Sequence, residues 1–144
     1  MGQLDTSSVR VLVAEDSEPF RRFVRSTLGA KPDLQIVCEV SDGLDAVQKA
    51  KELQPDLILL DIGLPTLNGI DAARRIRSVA PQSKIIFLSQ ESSTDVVQEA
   101  LALGALGYVV KANAGRELLV SVEAVRQGRR FISKGWSGND LAEG

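Results

Sequence analysis

Asp61 follows the unbroken apolar run Leu57-Ile58-Leu59-Leu60 and precedes the turn-forming residues Ile62-Gly63-Leu64-Pro65. Three other apolar runs end in the same manner: Val11-Leu12-Val13-Ala14 in Glu15-Asp16, Ile85-Ile86-Phe87-Leu88 in Ser89, and Tyr108-Val109-Val110 in Lys111. If these runs are parallel strands, three carboxylates, a hydroxyl and an ammonium meet at one sheet edge. Carboxylates crowded into one pocket repel, so they either share protons or hold a cation. The chain has no His and its single Cys is remote from these residues, which leaves oxygen ligands. Such a donor set points to a hard ion, Mg²⁺, rather than zinc. Mg²⁺ keeps several waters and takes one or two carboxylates together with phosphate oxygens, which suits phosphoryl transfer. Asp61 can then act as a nucleophile toward phosphorus and form an acyl phosphate. The metal and Lys111 would neutralise the phosphoryl oxygens, and the Ser89 hydroxyl would donate to the bound phosphate. Taken singly, each residue has an ordinary use: Asp61 as a turn cap, Glu15-Asp16 as a helix cap, Ser89 in a loop, Lys111 as surface charge. Four strand ends carrying complementary groups are what argue for a site.

Positioning these groups at one edge requires alternating strands and helices. Five apolar runs, each followed by an amphipathic stretch, give that alternation and predict a parallel sheet covered on both faces. The strands fall at Val9–Ala14, Leu34–Val40, 56–60, 84–88 and Gly107–Val110. Phe20, Phe23, Val24 and Leu28 keep helical spacing with Arg21, Arg22 and Arg25 opposite; Ala46, Val47, Ala50 and Leu53 repeat it before Pro55. Ile70, Ala73, Ile76 and Ala80 form a third apolar face before Pro81, and Val96, Val97, Ala100 and Leu101 a fourth before Gly104. Ser92, Ser93 and Thr94 offer N-cap hydroxyls to that fourth helix. Leu118, Leu119, Val122 and Val125 make the fifth. Open sheets of this kind bind ligands beyond the carboxyl ends of the strands, where the winding reverses. The domain therefore runs over 9–132, with an N-terminal extension at 1–8 and a polar, Gly-rich tail or linker start at 133–144.

At 144 residues, with 44% hydrophobic and 25% charged side chains, the chain fits one domain with a single core. A formal net charge of -2 gives no basic surface for nucleic acid, so DNA binding by these residues alone is not expected. Cys38 cannot form an intrachain disulfide and reads as core filler. No apolar stretch approaches the roughly 20 residues of a membrane span. The N-terminus lacks a secretory layout, and the Met1-Gly2 to Thr6 match to a myristoylation pattern reads as coincidence. These features predict a cytoplasmic protein without membrane contact. The groups Arg74-Arg75-Arg77 and Arg126-Arg129-Arg130 read as solvated helix faces, the second with the makings of an interface.

The acidic pair Glu15-Asp16, the LLDIGLPTLNG segment with Asp61, Pro65 and Gly69, FLSQ with Ser89, and GYVVK ending in Lys111 together resemble the receiver domain of bacterial two-component response regulators. The resemblance runs from about Val9 to Gly128. It implies a flavodoxin-like α/β fold: a doubly wound five-stranded parallel sheet of order 2-1-3-4-5 with five helices, an order the fold family supplies. It implies that Asp61 accepts a phosphoryl group from a sensor histidine kinase and that Asp16, Asp61 and the Gly63 carbonyl bind Mg²⁺, with Glu15 acting through water. Lys111 would hold the phosphoryl group, Ser89 and Tyr108 would act as coupled switch residues, and Gln90 and Pro65 would stand at the phosphate pocket.

The stretch after the fifth helix, Gln127-Gly128-Arg129-Arg130-Phe131-Ile132-Ser133, further resembles the subfamily whose receivers precede a helix-turn-helix domain. The implied partners are the kinase, a second copy on phosphorylation, and DNA only through an output domain that this sequence does not contain. On this reading the chain is regulatory and catalyses only its own phosphorylation and dephosphorylation. Two residues depart from the family pattern: Gly63 offers no side chain two positions after Asp61, and Gln90 is bulkier than the usual neighbour of the switch hydroxyl. A haloacid-dehalogenase-type phosphohydrolase would want a second Asp where Gly63 stands. A nucleotide-binding domain would want glycines where Glu15-Asp16-Ser17-Glu18-Pro19 stands. A phosphorylation-independent interaction module would have little use for the whole acidic pocket.

Overall fold

The computed structural model describes residues 8–90 and 93–133. Its elements alternate as β1 (Val9–Ala14), α1 (Glu18–Gly29), β2 (Leu34–Val40), α2 (Gly43–Leu53), β3 (Leu57–Asp61), α3 (Gly69–Val79), β4 (Lys84–Ser89), α4 (Thr94–Ala102), β5 (Gly107–Val110), α5 (Ala114–Arg126) and β6 (Phe131–Ile132). A single 3-10 turn, Lys111–Asn113, joins β5 to α5. All strand pairs are parallel, in the order β2-β1-β3-β4-β5-β6. The winding reverses between β1 and β3, so the first and third strands open a crevice at their carboxyl ends.

Side-chain alternation divides the core into two layers. Leu12, Ala14, Ile58, Leu60, Phe87 and Tyr108 pack with α2, α3 and α4 through Ala50, Ala73, Ile76, Val97 and Ala100. Val11, Val13, Leu57, Leu59, Ile86, Leu88 and Val109 pack on the other face with α1 and α5 through Val24, Leu28, Leu118, Val122 and Val125. Every residue of β3 is buried, which explains its continuous apolar run up to Asp61. Burying one such aliphatic side chain contributes about 1.5 to 3 kcal/mol. Edge strand β2 is only half-buried, and Cys38 on it is partly exposed although packed against the α2 face.

Capping fixes where the helices begin. Ser17 caps α1 by accepting from the Phe20 N–H at 3.3 Å, so Glu15-Asp16 is left out of that cap. Asp42 and Asn68 cap α2 and α3 by accepting from the Asp45 and Asp71 N–H groups. Ser93 precedes α4 without a side-chain cap, and Ser92 lies outside the described residues. Gly69 opens α3 where a Cβ would lie 2.2 Å from the Asp61 carbonyl oxygen. That position must be bare for the helix to start directly beneath the end of β3.

The sheet has six strands instead of the expected five. Gly128, at φ +80, reverses the chain after α5, and Phe131–Ile132 then pairs with β5. Two half-buried residues carry too short a pattern to reveal a strand in the sequence. The pairing continues into Ser133: its N–H donates to Tyr108 O at 2.7 Å and its hydroxyl to Glu117 Oε1 at 2.5 Å. Ser133 is 2% exposed, so the residue placed at the start of the tail is fastened to the sheet.

Of the arginine groups, Arg74 pairs with Asp71 and Glu99, Arg77 donates to the Leu103 carbonyl, and Arg126 pairs with Asp33 and Glu123. These contacts tie neighbouring elements together, which extends the solvated-face reading.

Candidate functional site

Register brings the strand ends level. Ala14 pairs with Leu60, Asp61 with Leu88, and Ser89 with Val110. The next residues of β1 and β5 are Glu15 and Lys111, so all five strand-end groups reach the same edge. Asp16, Ser17, Asp61, Ile62, Gly63, Ser89, Gln90 and Lys111 line one open pocket there. Carboxylate oxygens of Glu15, Asp16 and Asp61 lie within 4.8 Å of one another.

Lys111 is the counter-charge. Its Nζ lies 2.7 Å from Glu15 Oε1 and 3.5 Å from Asp61 Oδ2. Glu15 is fully buried; its other oxygen accepts from the Ser17 N–H at 2.9 Å, and Arg21 Nη1 donates to its carbonyl at 2.7 Å. Asp61 is 5% exposed and its Oδ1 accepts from the Gly63 N–H at 3.0 Å. Burial pushes both carboxyls above the ordinary range. For Glu15 the Lys111 hydrogen bond opposes that rise, and for Asp61 the Gly63 N–H and then Lys111 do so. The neighbouring acids reinforce it, Asp61 acting on Glu15 and Asp16 on Asp61. Acidic oxygens converging on a pocket that Lys111 only partly neutralises form a donor set for a divalent, oxygen-preferring cation. The donor chemistry fits Mg²⁺: Asp16 is exposed to the pocket and Asp61 lies beside it.

Ser89 and Tyr108, the expected switch residues, lie on the other layer. By strand alternation Ser89 shares the face of Phe87, whose register partner is the fully buried Tyr108. Ser89 thus sits between the pocket, which it lines, and the core beneath α4. Gln90 is exposed at the pocket wall. Pro65 stands outside the lining residues: its carbonyl accepts from the Gly43 and Leu67 N–H groups and ties the β3–α3 loop to α2. Nothing nearer than Asp61 Oδ1, at 3.8 Å, would meet a Cβ at Gly63, so the space beside the acid is open.

Three contributors escaped the sequence reading. Ser17 and Arg21 fix Glu15 through its side chain and its carbonyl. Phe20 presents its ring to Lys111, with Nζ 4.9 Å from the centroid. Their proximity to Glu15-Asp16 in the chain was the available signal, but Phe20 and Arg21 read as the two faces of an amphipathic helix.

Residues 11–123 match the family model described as the response regulator receiver domain. The chain is 33% identical over 129 residues to the uncharacterized transcriptional regulatory protein YxjL of Bacillus subtilis (strain 168), covering 90% of this chain and 59% of that protein. It is 35% identical over 124 residues to the DNA-binding transcriptional activator DevR/DosR of Mycobacterium tuberculosis (strain ATCC 25618 / H37Rv), covering 86% of this chain and 57% of that protein. It therefore spans somewhat over half the length of these two relatives. Among solved structures, a two-component response regulator of the LuxR family from Aurantimonas sp. SI85-9A1 superimposes with a TM-score of 0.88 at 28% identity, covering 95% of this chain and 98% of that one.

Proposed function

This chain belongs to the response regulator receiver family, and from that premise we propose that it is a phosphoacceptor switch carrying its phosphoryl group on Asp61. The observation that supports this most is the Asp61 carboxylate at the pocket, 3.5 Å from the Lys111 ammonium and grouped with Glu15 and Asp16 within 4.8 Å. Asp16, Asp61 and the Gly63 carbonyl would hold Mg²⁺, with Glu15 contributing through water. When bound, the cation screens the anionic donor from the acid and stabilises charge on the phosphoryl oxygens.

An Asp61 oxygen attacks phosphorus, the bond from phosphorus to the donor's leaving atom breaks, and that atom departs with the electron pair. Asp61 attacks as the carboxylate, the form that the Gly63 N–H and the Lys111 ammonium favour against the upward push of burial. Lys111 turns from Glu15 toward the phosphoryl oxygens. Ser89 donates its hydroxyl to a phosphoryl oxygen, a contact unavailable before transfer, and this differential contact biases the Ser89–Tyr108 layer under α4. The physiological donor is a phosphohistidine of a sensor kinase.

The output is transcriptional, as the names of both relatives state for themselves, and phosphorylation promotes pairing with a second copy. Among the described residues no helix is long and apolar enough to cross a membrane, which supports a cytoplasmic setting. The chain's only chemistry is then on itself. The test is intact-mass measurement after incubation with a small acyl phosphate donor. The parent should gain one phosphoryl group in Mg²⁺ and none in a chelator, and Asp61→Asn should gain none. Equal labelling of that variant would remove Asp61 as the acceptor.

A further inference from the structure

We infer that Phe20 is a positioning residue for Lys111, its ring face holding the ammonium in the phosphoryl pocket; this rests on the phosphoacceptor reading above. Lys111 is 12% exposed and meets three groups: Glu15 Oε1 at 2.7 Å, Asp61 Oδ2 at 3.5 Å and the Phe20 ring at 4.9 Å to its centroid. The first two are carboxylates and compete for the same protons. The third offers no lone pair, yet its quadrupole attracts a cation within about 6 Å of the centroid, more strongly where water is excluded.

The local sequence builds this wall from the same turn that carries the acids. Ser17 accepts from the Phe20 N–H, and Pro19 sits in the first turn, fixing the start of α1. Phe20 is thereby held four positions after Asp16, and its ring is buttressed by Phe23 at 5.3 Å between centroids. It is half-buried against the α1/α5 core layer. A leucine would serve that packing; the placement of an aromatic face against the ammonium is what the packing alone leaves unexplained.

Its use lies in the exchange that phosphorylation demands. Lys111 has to release Glu15 to reach a phosphoryl oxygen on Asp61, and during that turn it loses its nearest counter-charge. The ring lies alongside and offers a contact that the turn need not break, so the ammonium swings between acids without escaping to water. A lysine held in place for a smaller fraction of the time lowers apparent affinity for the phosphoryl group by that fraction.

The decisive experiment replaces Phe20 with mono-, di- and trifluorinated phenylalanine, which drains the ring face of charge while nearly keeping its shape. Three readouts are taken on the full chain: beryllofluoride affinity in Mg²⁺, Mg²⁺ affinity alone, and the NMR shift of the Lys111 ε-methylene. Beryllofluoride affinity should fall stepwise with fluorination, by about 2- to 30-fold across the series. Mg²⁺ affinity should hold, since Phe20 is no ligand. In the parent, the Lys111 ε-methylene should show the upfield displacement of a proton over a ring, lost in Phe20→Leu and kept in Phe20→Tyr. A flat series, or a Phe20→Leu variant with unchanged beryllofluoride affinity and an undisplaced parent resonance, overturns the role of Phe20. Failure of the unsubstituted protein to bind beryllofluoride at all would instead overturn the phosphoacceptor reading.

Discussion

Asp61→Asn should make the metal-free protein more stable while removing its acceptor. The substitution keeps the shape of the side chain and deletes a charge that is 5% exposed. At an effective dielectric of about 20, repulsion between Asp61 and Glu15, whose carboxylate oxygens lie within 4.8 Å, is at least about 3.5 kcal/mol, and attraction to Lys111 at 3.5 Å is about 4.7 kcal/mol. Exposed Asp16 adds less than about 1 kcal/mol of repulsion after screening. These charge interactions nearly cancel, so the cost of stripping water from the carboxylate, which can reach several kcal/mol per buried ion, decides the sign. We expect a gain of about 1 to 3 kcal/mol in chelator, or about 2 to 4 °C of melting temperature per kcal/mol.

The pH dependence follows from the raised carboxyls of Asp61 and Glu15. The folded parent binds these protons more tightly than the unfolded chain. The contribution of these two groups to stability is therefore greatest below the ordinary carboxyl range, about pH 4, and falls as pH rises through the folded values. The gap between variant and parent should close at low pH and open toward neutrality. Mg²⁺ should stabilise the parent, by about 2.7 kcal/mol at a hundredfold excess over Kd, and the variant less. Urea titrations in chelator and in Mg²⁺ across this range provide the assay. An Asn variant no more stable than the parent in chelator at neutral pH would show that desolvation does not decide the balance at Asp61.

Three further outcomes are expected. Gly69→Ala puts a methyl 2.2 Å from the Asp61 carbonyl oxygen and 2.7 Å from Ile62 Cα, both backbone, so it should cost about 1 to 3 kcal/mol in urea unfolding and slow phosphorylation by displacing β3. A variant as stable and as reactive as the parent would show that α3 can shift freely. Ser133→Ala withdraws the hydroxyl that donates to Glu117 at 2.5 Å and should cost about 1 to 2 kcal/mol, with faster amide exchange at Phe131 and Ile132; unchanged exchange would mean β6 is held by its backbone alone. Gln90→Ala should speed both phosphorylation by a small donor and spontaneous dephosphorylation severalfold, because the amide stands exposed at the pocket wall where a donor or water must reach near-attack geometry. Rates that stay equal or fall would place Gln90 away from the path.

The buried strands were legible because a residue covered on both faces must be apolar, and β3 and β4 carry that constraint over most of their length. The strand-end acids and Lys111 were legible for the complementary reason: a charge abutting such a run has to be explained. β6 was not, since two half-buried residues satisfy no period, and Glu117, which accepts from Ser133 just past it, looked like any acid in a first helical turn. Phe20 has the same spacing whether its ring meets core or cation, and only the reach of Lys111 from the end of β5 to the start of α1 separates the two. Cys38 read as core because its neighbours are apolar, yet β2 is an edge and leaves it half-covered. Sequence pattern records what burial demands of a residue and is silent about which tertiary neighbour meets it.

Whether Asp61 itself carries the phosphoryl group, as proposed, can be read residue by residue. The most direct measurement is site-resolved: phosphorylate the parent with a small acyl phosphate in Mg²⁺, trap the acyl phosphate by borohydride reduction, and locate the reduced residue by tandem mass spectrometry. Reduction is expected at Asp61 alone and should be abolished by chelator. Reduction at Asp16 or Glu15 with Asp61 unmodified, or a phosphorylated protein with no reducible acyl phosphate, would contradict the proposal.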